Sequence, residues 1–177
     1  MSKTGKKRST GNKNKKKQNN MLHLGIKALF VVVLIGFLAL IYRGSNTSDV
    51  DLGEVLDSLN SKAGLSSEME AATDRDLRQF IGINADDYKQ VIYYRNTREL
   101  AVEELLIVKT AHGVPLDAVD EAVTARVKGQ LKTYASYGPS QVKQLKNSIS
   151  SEIGDYYFYC TSDNADRYEE VLRNAIQ

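Results

Sequence analysis

Paired carboxylates are the side chains of this sequence best suited to acid–base chemistry. Two pairs are adjacent in the chain, Asp86–Asp87 and Glu103–Glu104. Hydrolysis of a glycosidic bond needs two carboxylates that face one cleft about 5 to 10 Å apart. Side chains of neighbouring residues on a strand or a helix point in different directions. We therefore expect both pairs to be solvated charges or helix caps, and we assign no catalytic residue to them.

Thiol and imidazole groups are scarce. The chain contains only His23, His112 and Cys160, whereas a zinc site needs three or four His, Cys or carboxylate ligands in close array. A Cys160 nucleophile would require His112 beside it as a base. Alternation with Tyr156 and Phe158 in a predicted strand instead favours a buried, structural thiol. No phosphate-binding glycine loop or serine-hydrolase elbow can be read, so the sequence predicts neither a metal ion nor any other cofactor.

Tyrosine is abundant enough to suggest a binding surface. The chain has ten Tyr and four Phe but no Trp. Exposed aromatic rings can stack against peptidoglycan or other glycans, although strand tyrosines are more often packed with only the hydroxyl exposed. We expect the candidate binding residues on the predicted strands and beside the Gly138-Pro139 turn. They are Tyr93, Tyr157, Tyr159 and Tyr137.

The first of these tyrosines belongs to a predicted pair of strands. Residues 88–94 and 104–110 are rich in β-branched and aromatic types and are bounded by polar residues and glycine, which favours strands. We expect the two to pair with each other. Residues 98–103 between them could form a helical turn, and periodicity does not decide this.

A second hairpin carries the other two strand tyrosines. Residues 148–153 and 156–161 flank Gly154-Asp155, a two-residue hairpin signal. Because alternate residues of a strand point to opposite faces, Tyr157 and Tyr159 should face away from the cysteine.

Two helices are predicted before the first strand. Ser48 is the expected N-cap of the first, with Asp51 three residues further on in an acidic variant of the capping box. Thr73 and Asp76 are expected to cap the second in the same way. The expected terminators of the two helices are Gly64 and Gly82.

The clearest helix follows the first hairpin. Pro115 is expected to open it and Gly138 to stop it. Its apolar residues recur with a period of 3.6, and they are Leu116, Val119, Val123, Val127, Leu131 and Tyr134. Pro139 then fits the first turn of a short helix. A last helix can be capped by Ser162, Asp163 or Asn164.

The order of these elements is α, α, β, β, α, α, β, β, α. It predicts an α+β domain over residues 50–177, in which helices pack on a mainly antiparallel sheet, preceded by one transmembrane helix. A domain of about 130 residues is long enough to bury a single core.

The uncharged apolar run at 28–42 predicts that transmembrane helix. Fifteen helical residues span roughly 22 Å, and apolar residues from Met21 onward extend the span toward the roughly 30 Å of a hydrocarbon core. A buried core helix is the alternative, but no face of the run is polar. A cleavable signal peptide is another, and cleavage needs small residues at the site; residues 39–44 (ALIYRG) make a poor one.

Charge predicts the orientation and the partners. Eight Lys or Arg among the first twenty residues hold the N-terminus in the cytoplasm. A basic tail tied to a span lies beside anionic lipid, which favours the membrane over nucleic acid as its partner. After Arg43 the chain carries fourteen Lys or Arg against twenty-two Asp or Glu, a net charge of −8. The expected divisions are a disordered basic cytoplasmic tail (1–20), a signal anchor (21–43), a linker (44–49) and an extracytoplasmic domain (50–177).

Several short motifs resemble a known family. They are the run LAVEELLIVKTA with the helix that follows it, residues 137–141 (YGPSQ), and the turn at 154–156 ahead of a strand ending in residues 161–163. Together they resemble DUF4358, a domain of unknown function found in Gram-positive bacteria, over residues 50–177. The long basic tail is outside the family pattern. The resemblance implies an anchored or exported envelope protein with no established activity, and therefore no catalytic residues to carry over.

We therefore expect a single-pass protein of the cell membrane whose exported domain acts by binding. Its partner would be an unknown envelope protein or a glycan, and its role that of an accessory domain. The alternative is a cell-wall hydrolase or other envelope enzyme with a dispersed site. A deep pocket lined by convergent carboxylates, or by Cys160 with His112, would favour that alternative.

Overall fold

The computed structural model of the protein describes Lys27, residues 29–35 and residues 48–177. Contacts divide the chain into two units, Met1–Arg43 and Gly44–Gln177. In the first unit, residues 29–35 are helical. The expected tail, most of the expected span and most of the expected linker lie outside the described residues. Among those described, no helix is both long enough and apolar enough to cross a membrane.

A five-stranded antiparallel sheet forms the centre of the second unit. Its strands are β1 (Glu70–Ala71), β2 (Gln90–Arg95), β3 (Glu104–Lys109), β4 (Ile149–Ile153) and β5 (Tyr156–Thr161). They lie in the order β1-β2-β3-β5-β4. Both predicted hairpins are confirmed, since β2 pairs with β3 and β4 with β5. The short β1, which the sequence did not predict, extends the sheet beside β2.

Helices surround this sheet, so the fold is α+β as predicted. They are α1 (Leu52–Ala63), α2 (Leu65–Glu68), α3 (Asp74–Asp76), α4 (Asp117–Tyr134), α5 (Pro139–Lys146) and α6 (Ala165–Ile176). The chain continues from α3 into a π-helical turn at Leu77–Ile81. A single 3-10 turn at Ala85–Asp87 precedes β2.

Both faces of the sheet are covered, and each has its own hydrophobic cluster. We call them after the helices that cover them. The α1–α6 face contributes Leu105, Ile107, Tyr156, Phe158 and Cys160 to one cluster. The α3–α4 face contributes Tyr93, Leu106, Val108, Tyr157 and Tyr159 to the other. The strand phase predicted for β5 is therefore confirmed, because its alternate residues divide between the two clusters.

Several helices begin or end at the residues that were predicted to cap or terminate them. Thr73 and Asp76 form the predicted capping box on α3. Gly64 and Gly82 end their helices with φ values of 70° and 90°, a conformation that glycine adopts without steric strain. Pro139 occupies the first turn of α5 as predicted, and Gly138 is the N-cap of that helix.

The prediction that Ser48 caps the first helix is wrong. Asp51 is the N-cap of α1, and its carboxylate accepts the Gly53 N–H at 2.7 Å. Ser48 is held by tertiary contacts: its N–H donates to the Ile176 carbonyl at 2.7 Å, and its carbonyl accepts from the Tyr156 hydroxyl at 2.9 Å. Contacts with α6 and β5 thus hold the Ser48 backbone, and the helix begins further along the chain.

Of two further helix starts, that of α4 differs from expectation in position, and that of α6 lies at one of the predicted residues but lacks the predicted capping bond. Helix α4 begins at Asp117 with Leu116 as its N-cap, two residues after Pro115. Asn164 is the N-cap residue of α6, but its side chain makes no capping bond there. Its amide donates to the carboxylate of Glu68 instead, so a tertiary contact has replaced the expected local one.

Candidate functional site

The three strand tyrosines lie in the core. Tyr93, Tyr157 and Tyr159 are 5%, 1% and 0% exposed, so the expectation that they form a solvent-facing aromatic surface is wrong. The reason is tertiary: the π-helical turn and α4 cover the face that alternation assigned to solvent. Tyr137, in contrast, is 57% exposed, and its ring centroid lies 5.5 Å from that of Tyr134.

Cys160 is buried, as predicted, and burial raises the pKa of its thiol. It lies opposite Leu105 in the register of the sheet. His112 is beyond the other end of β5, where its Nδ1 contacts both carboxylate oxygens of Asp155 at 3.1 Å. The fold therefore does not bring this thiol and this imidazole together.

The acid pairs also separate. Glu103 accepts a hydrogen bond from the Gln144 side chain at 3.4 Å, while Glu104 points to the opposite side of the chain and is buried. Asp86 and Asp87 lie in an exposed 3-10 turn. Within the described part of the chain, no group of three or more His, Cys, Asp or Glu is placed to hold a metal ion.

A buried ion pair stands at one end of the α3–α4 face. The Glu104 side chain is 3% exposed and that of Arg126, on α4, is 19% exposed. The Arg126 Nε donates to Glu104 Oε1 at 3.1 Å, and a second guanidinium nitrogen donates to the same oxygen. Removing two charges from water is costly, so such a pair requires good geometry and further hydrogen bonds.

Gln130, one turn further along α4, supplies one of those bonds. Its Nε2 donates to Glu104 Oε1 at 3.2 Å. Because an ionised carboxylate can only accept, the amide nitrogen must face it and the amide oxygen must point elsewhere. That oxygen is buried and has no hydrogen-bond partner among the described residues.

Two more buried polar atoms near this pair lack partners within the described structure. They are the hydroxyl of Tyr93 and the Nε of Arg95. Burial, followed by the charge of Glu104, raises the pKa of Tyr93, so this hydroxyl keeps its proton. A buried polar group without a partner costs about 1 to 3 kcal/mol. Two of the three unpartnered atoms belong to β2 and the third to α4.

The Phe80 ring contacts two arginines, Arg95 and Arg126. The guanidinium carbon of Arg95 lies 4.0 Å from the centre of the Phe80 ring, and that of Arg126 lies 5.2 Å from it. Each distance fits a cation–π contact. Phe80 belongs to the π-helical turn, a rare geometry that often marks functional positions.

A groove runs between this turn and α4. We call it the α3–α4 groove; its volume is about 370 Å³, and it is lined by Gln79, Phe80, Ile81, Gly82, Ala122, Ala125, Arg126, Gly129, Gln130 and Thr133. The α4 side consists largely of the small residues Ala122, Ala125 and Gly129. A Cβ added at Gly129 would meet nothing within 4 Å, so the space beside it is open. The ion pair thus borders an accessible cleft.

A family match was found for this chain. The family model described as "Domain of unknown function (DUF4358)" matches residues 61–162. The chain belongs to the DUF4358 family. No curated protein and no solved structure matches it. Every residue that lines the α3–α4 groove falls within the matched range.

The sequence did not predict the candidate site of this DUF4358 domain. Its polar residues, Glu104, Arg126 and Gln130, occupy strand and helix positions with no distinctive local pattern. The predicted stripe of α4 is confirmed at Leu116, Val119 and Val123. Further along, Gln130 is buried while Leu131 is only half-buried. One signal was present, since Gly129 lies inside a long helix, where glycine costs about 1 kcal/mol relative to alanine.

A second polar cluster ties residues 49–50, which precede the matched range, to the sheet. The Lys109 ammonium is buried and lies 2.8 Å from Asp49 Oδ1, and it also donates to the Val50 carbonyl. The Tyr156 hydroxyl accepts the Val50 N–H at 2.9 Å. In this second cluster, the polar atoms of Lys109 and Tyr156 have partners, which suits a structural role.

Proposed function

We propose that this DUF4358 protein is a membrane-anchored, extracytoplasmic domain of a Gram-positive envelope that acts by binding. The anchor is the apolar run at 28–42 with its one-sided basic flank, a pattern that inserts with the basic end in the cytoplasm. The binding surface is the α3–α4 groove. The partner is an envelope protein or a glycan-linked component, and the domain serves as an accessory factor.

One observation carries the binding proposal: an open groove is lined by Arg126, which belongs to the ion pair with Glu104, and by Gln130, whose amide oxygen is unpaired. Each feature costs stability on its own. The Gln130 oxygen lacks a partner among the described residues and belongs to a side chain that lines the groove. A ligand that supplied the missing hydrogen bonds would recover part of that cost, which is how binding sites come to contain such groups.

The charge of the proposed exported part bears on its position relative to the membrane. Its net charge of −8 would hold it away from the anionic membrane surface to which it is tethered. A domain that stands off from the membrane leaves its grooves free for partners in the wall region.

Protease treatment of intact, wall-stripped cells tests the anchor. We expect loss of the domain after Arg43 and retention of a small membrane-bound stub. Release of the full-length protein into the medium would contradict an uncleaved anchor.

Site-specific photo-crosslinking in living cells tests the groove. A photoreactive residue at Thr133, which lines the groove, should give a discrete crosslinked product. The matched control is the same residue at Lys132, which is exposed but outside the groove lining. Equal products from both positions, or none from Thr133, would contradict the groove as the binding surface.

A further inference from the structure

The outer edge of β4 is open. This strand is last in the sheet order, and among the described residues it pairs only with β5. Natural proteins protect such an edge with Lys, Pro or a bulge, because its free N–H and C=O groups can pair with another strand. The sequence of β4, ISSEI, contains neither Lys nor Pro, and its register with β5 runs without a bulge. This edge is therefore available to a further strand.

The pairing on the other side of β5 shows which groups of β4 are free. The Thr110 N–H donates to the Asp155 carbonyl at 2.9 Å, which continues the register of β3 with β5. Since backbone bonding alternates along an antiparallel strand, Tyr156 and every second residue after it bond to β4. Their β4 partners are Ile153, Ser151 and Ile149. The N–H and C=O groups of Ser150 and Glu152 thus point away from the sheet, and both residues are exposed.

The strand β4 is complementary to a second copy of itself. When two β4 strands run antiparallel with Ser151 opposite Ser151 of the other copy, all the residues of each strand are paired. Ser150 then faces Glu152; the two exchange backbone hydrogen bonds, and the hydroxyl can donate to the carboxylate. Ile149 faces Ile153, which makes an apolar pair on the α1–α6 face. A register with Glu152 opposite Glu152 would instead place like charges together, which is unfavourable.

The charges beside β4 permit this approach. The Ser151 hydroxyl donates to Glu169 Oε1 at 2.7 Å, and the Arg173 guanidinium donates to the same oxygen at 2.6 Å. The carboxylate beside Ser151 is thus already neutralised. In the same register residue 146 comes opposite residue 156 of the second copy, which brings the exposed Lys146 near Asp155 of that copy. Opposite charges therefore meet at both ends of the paired strands.

The position of the chain start favours a second copy as the partner. A two-fold axis perpendicular to the sheet keeps the α1–α6 faces of both copies on the same side. Ser48 lies on this face, because its carbonyl accepts from the Tyr156 hydroxyl. Both chains therefore enter the joined sheet from one side, as two copies anchored in the same membrane must.

We infer that two copies of this protein associate through β4, antiparallel, with Ser151 on the two-fold axis. The strands of both copies then form one continuous sheet. No residue of β4 lines the α3–α4 groove, so this association is distinct from the binding function proposed above.

Disulfide trapping in the full-length chain, purified in detergent micelles, tests this contact. Ser151→Cys should give a disulfide-linked dimer after oxidation with diamide, because the Cα atoms of a non-hydrogen-bonded pair lie about 4.5 Å apart. The matched control is Ser150→Cys, whose two copies would lie diagonally, about 7 to 8 Å apart, and could not be bridged. We expect about tenfold less dimer from the control on a non-reducing gel, although Ser150 is the more exposed residue. Cys160 is 0% exposed and is retained in both variants.

Charge variants of Ser150, made in the Ser151→Cys chain, test the register. Ser150→Glu places a carboxylate opposite Glu152 and should lower the rate of dimer formation about fivefold or more, since the repulsion occurs twice across the axis. Ser150→Lys places an ammonium there and should raise the rate. Because Ser150 is exposed, neither change disturbs the core, and thermal melts check that both chains are folded.

Three results would overturn the inference. They are the absence of a dimer from Ser151→Cys, as much dimer from Ser150→Cys as from Ser151→Cys, and equal rates for the Glu and Lys variants. The crosslink at Thr133 tests the groove and does not depend on any of them.

Discussion

The two faces of the sheet are both buried, yet they differ in the chemistry of their covered side chains. On the α1–α6 face the strand residues are mainly apolar, and Lys109 at its margin is hydrogen-bonded. On the α3–α4 face, Tyr93 and Glu104 bring polar and charged groups into the interior. The first face is packed mainly with apolar groups, although the buried Tyr168 hydroxyl there also has no partner among the described residues. The second retains groups that packing alone does not need, and it is the face that borders a groove.

The same strand supplies both kinds of face. In β5, Phe158 points into the apolar cluster and its neighbour Tyr159 into the other. The Tyr159 hydroxyl accepts from Thr161 at 2.9 Å, so not every polar group on the α3–α4 face is unpaired. The unpaired polar atoms of this face belong to β2 and α4, the elements that flank Glu104 of β3.

The largest effect is expected from the apolar face. Phe158→Ala deletes a ring that is 0% exposed and should lower the free energy of unfolding by about 3 to 5 kcal/mol, because both transfer energy and packing are lost. Urea unfolding of the full-length chain in detergent, followed by circular dichroism, measures this. The control is Tyr137→Ser at an exposed position, where a change within about 0.5 kcal/mol is expected. Equal costs would show that Phe158 is not in a core.

A smaller but still large effect is expected from breaking the ion pair. Arg126→Met leaves Glu104 buried without its counter-charge, and we expect a loss of about 3 kcal/mol in the free energy of unfolding. The double variant Glu104→Gln with Arg126→Met should be more stable than Arg126→Met alone, since no unpaired charge remains. The same urea series measures both. If the second substitution adds to the loss, charge pairing is not what stabilises this end of the face.

A third, smaller effect compares the loss of one buried tyrosine hydroxyl on each face. Tyr156→Phe, on the α1–α6 face, removes hydrogen bonds to residues 48–50 and should cost about 1 to 2 kcal/mol. Tyr93→Phe, on the other face, removes a hydroxyl with no partner among the described residues. It should be neutral or slightly stabilising in the same unfolding assay. The reverse order would mean that the Tyr93 hydroxyl is satisfied in the native protein.

The smallest effect is expected at acid pH. The hydrogen bond from Lys109, followed by that from Lys89, lowers the pKa of Asp49 from 3.8 to about 2. Its contribution to stability is therefore fully present above pH 3.8 and is lost as the pH falls through about 2. Unfolding curves of the wild type and of Asp49→Asn should differ at pH 6 and converge toward pH 2. A constant difference over this range would show that the ion pairs of Asp49 do not stabilise the fold.

The local features were readable from the sequence. The Thr73–Asp76 capping box, the Gly64 and Gly82 terminators and both hairpins depend on residues close together in the chain. The predicted stop of α4 at Gly138 is wrong, since this helix ends at Tyr134. The alternation of β5 was also predicted correctly, because a strand has a strict period of two. These features follow from backbone sterics and short-range hydrogen bonds.

The candidate site could not be read in the same way. It is assembled from the π-helical turn, β2, β3 and α4, which span residues 77–134. Arg126 and Gln130 resemble ordinary polar positions on the side of a helix. Both donate hydrogen bonds to Glu104, and no local pattern reveals that pairing.

The sequence by itself determined the α+β class, the hairpins, the alternation of the strands and the division of charge along the chain. Those properties arise from neighbours in the chain, from composition and from periodicity. Only the tertiary structure decided that a second helical layer covers Tyr93, Tyr157 and Tyr159, and that a carboxylate, a guanidinium and an amide meet beside a groove. The alternation of residues along a strand predicts which side chains share a face of the sheet. It does not predict what covers that face, because the covering depends on contacts between residues far apart in the sequence.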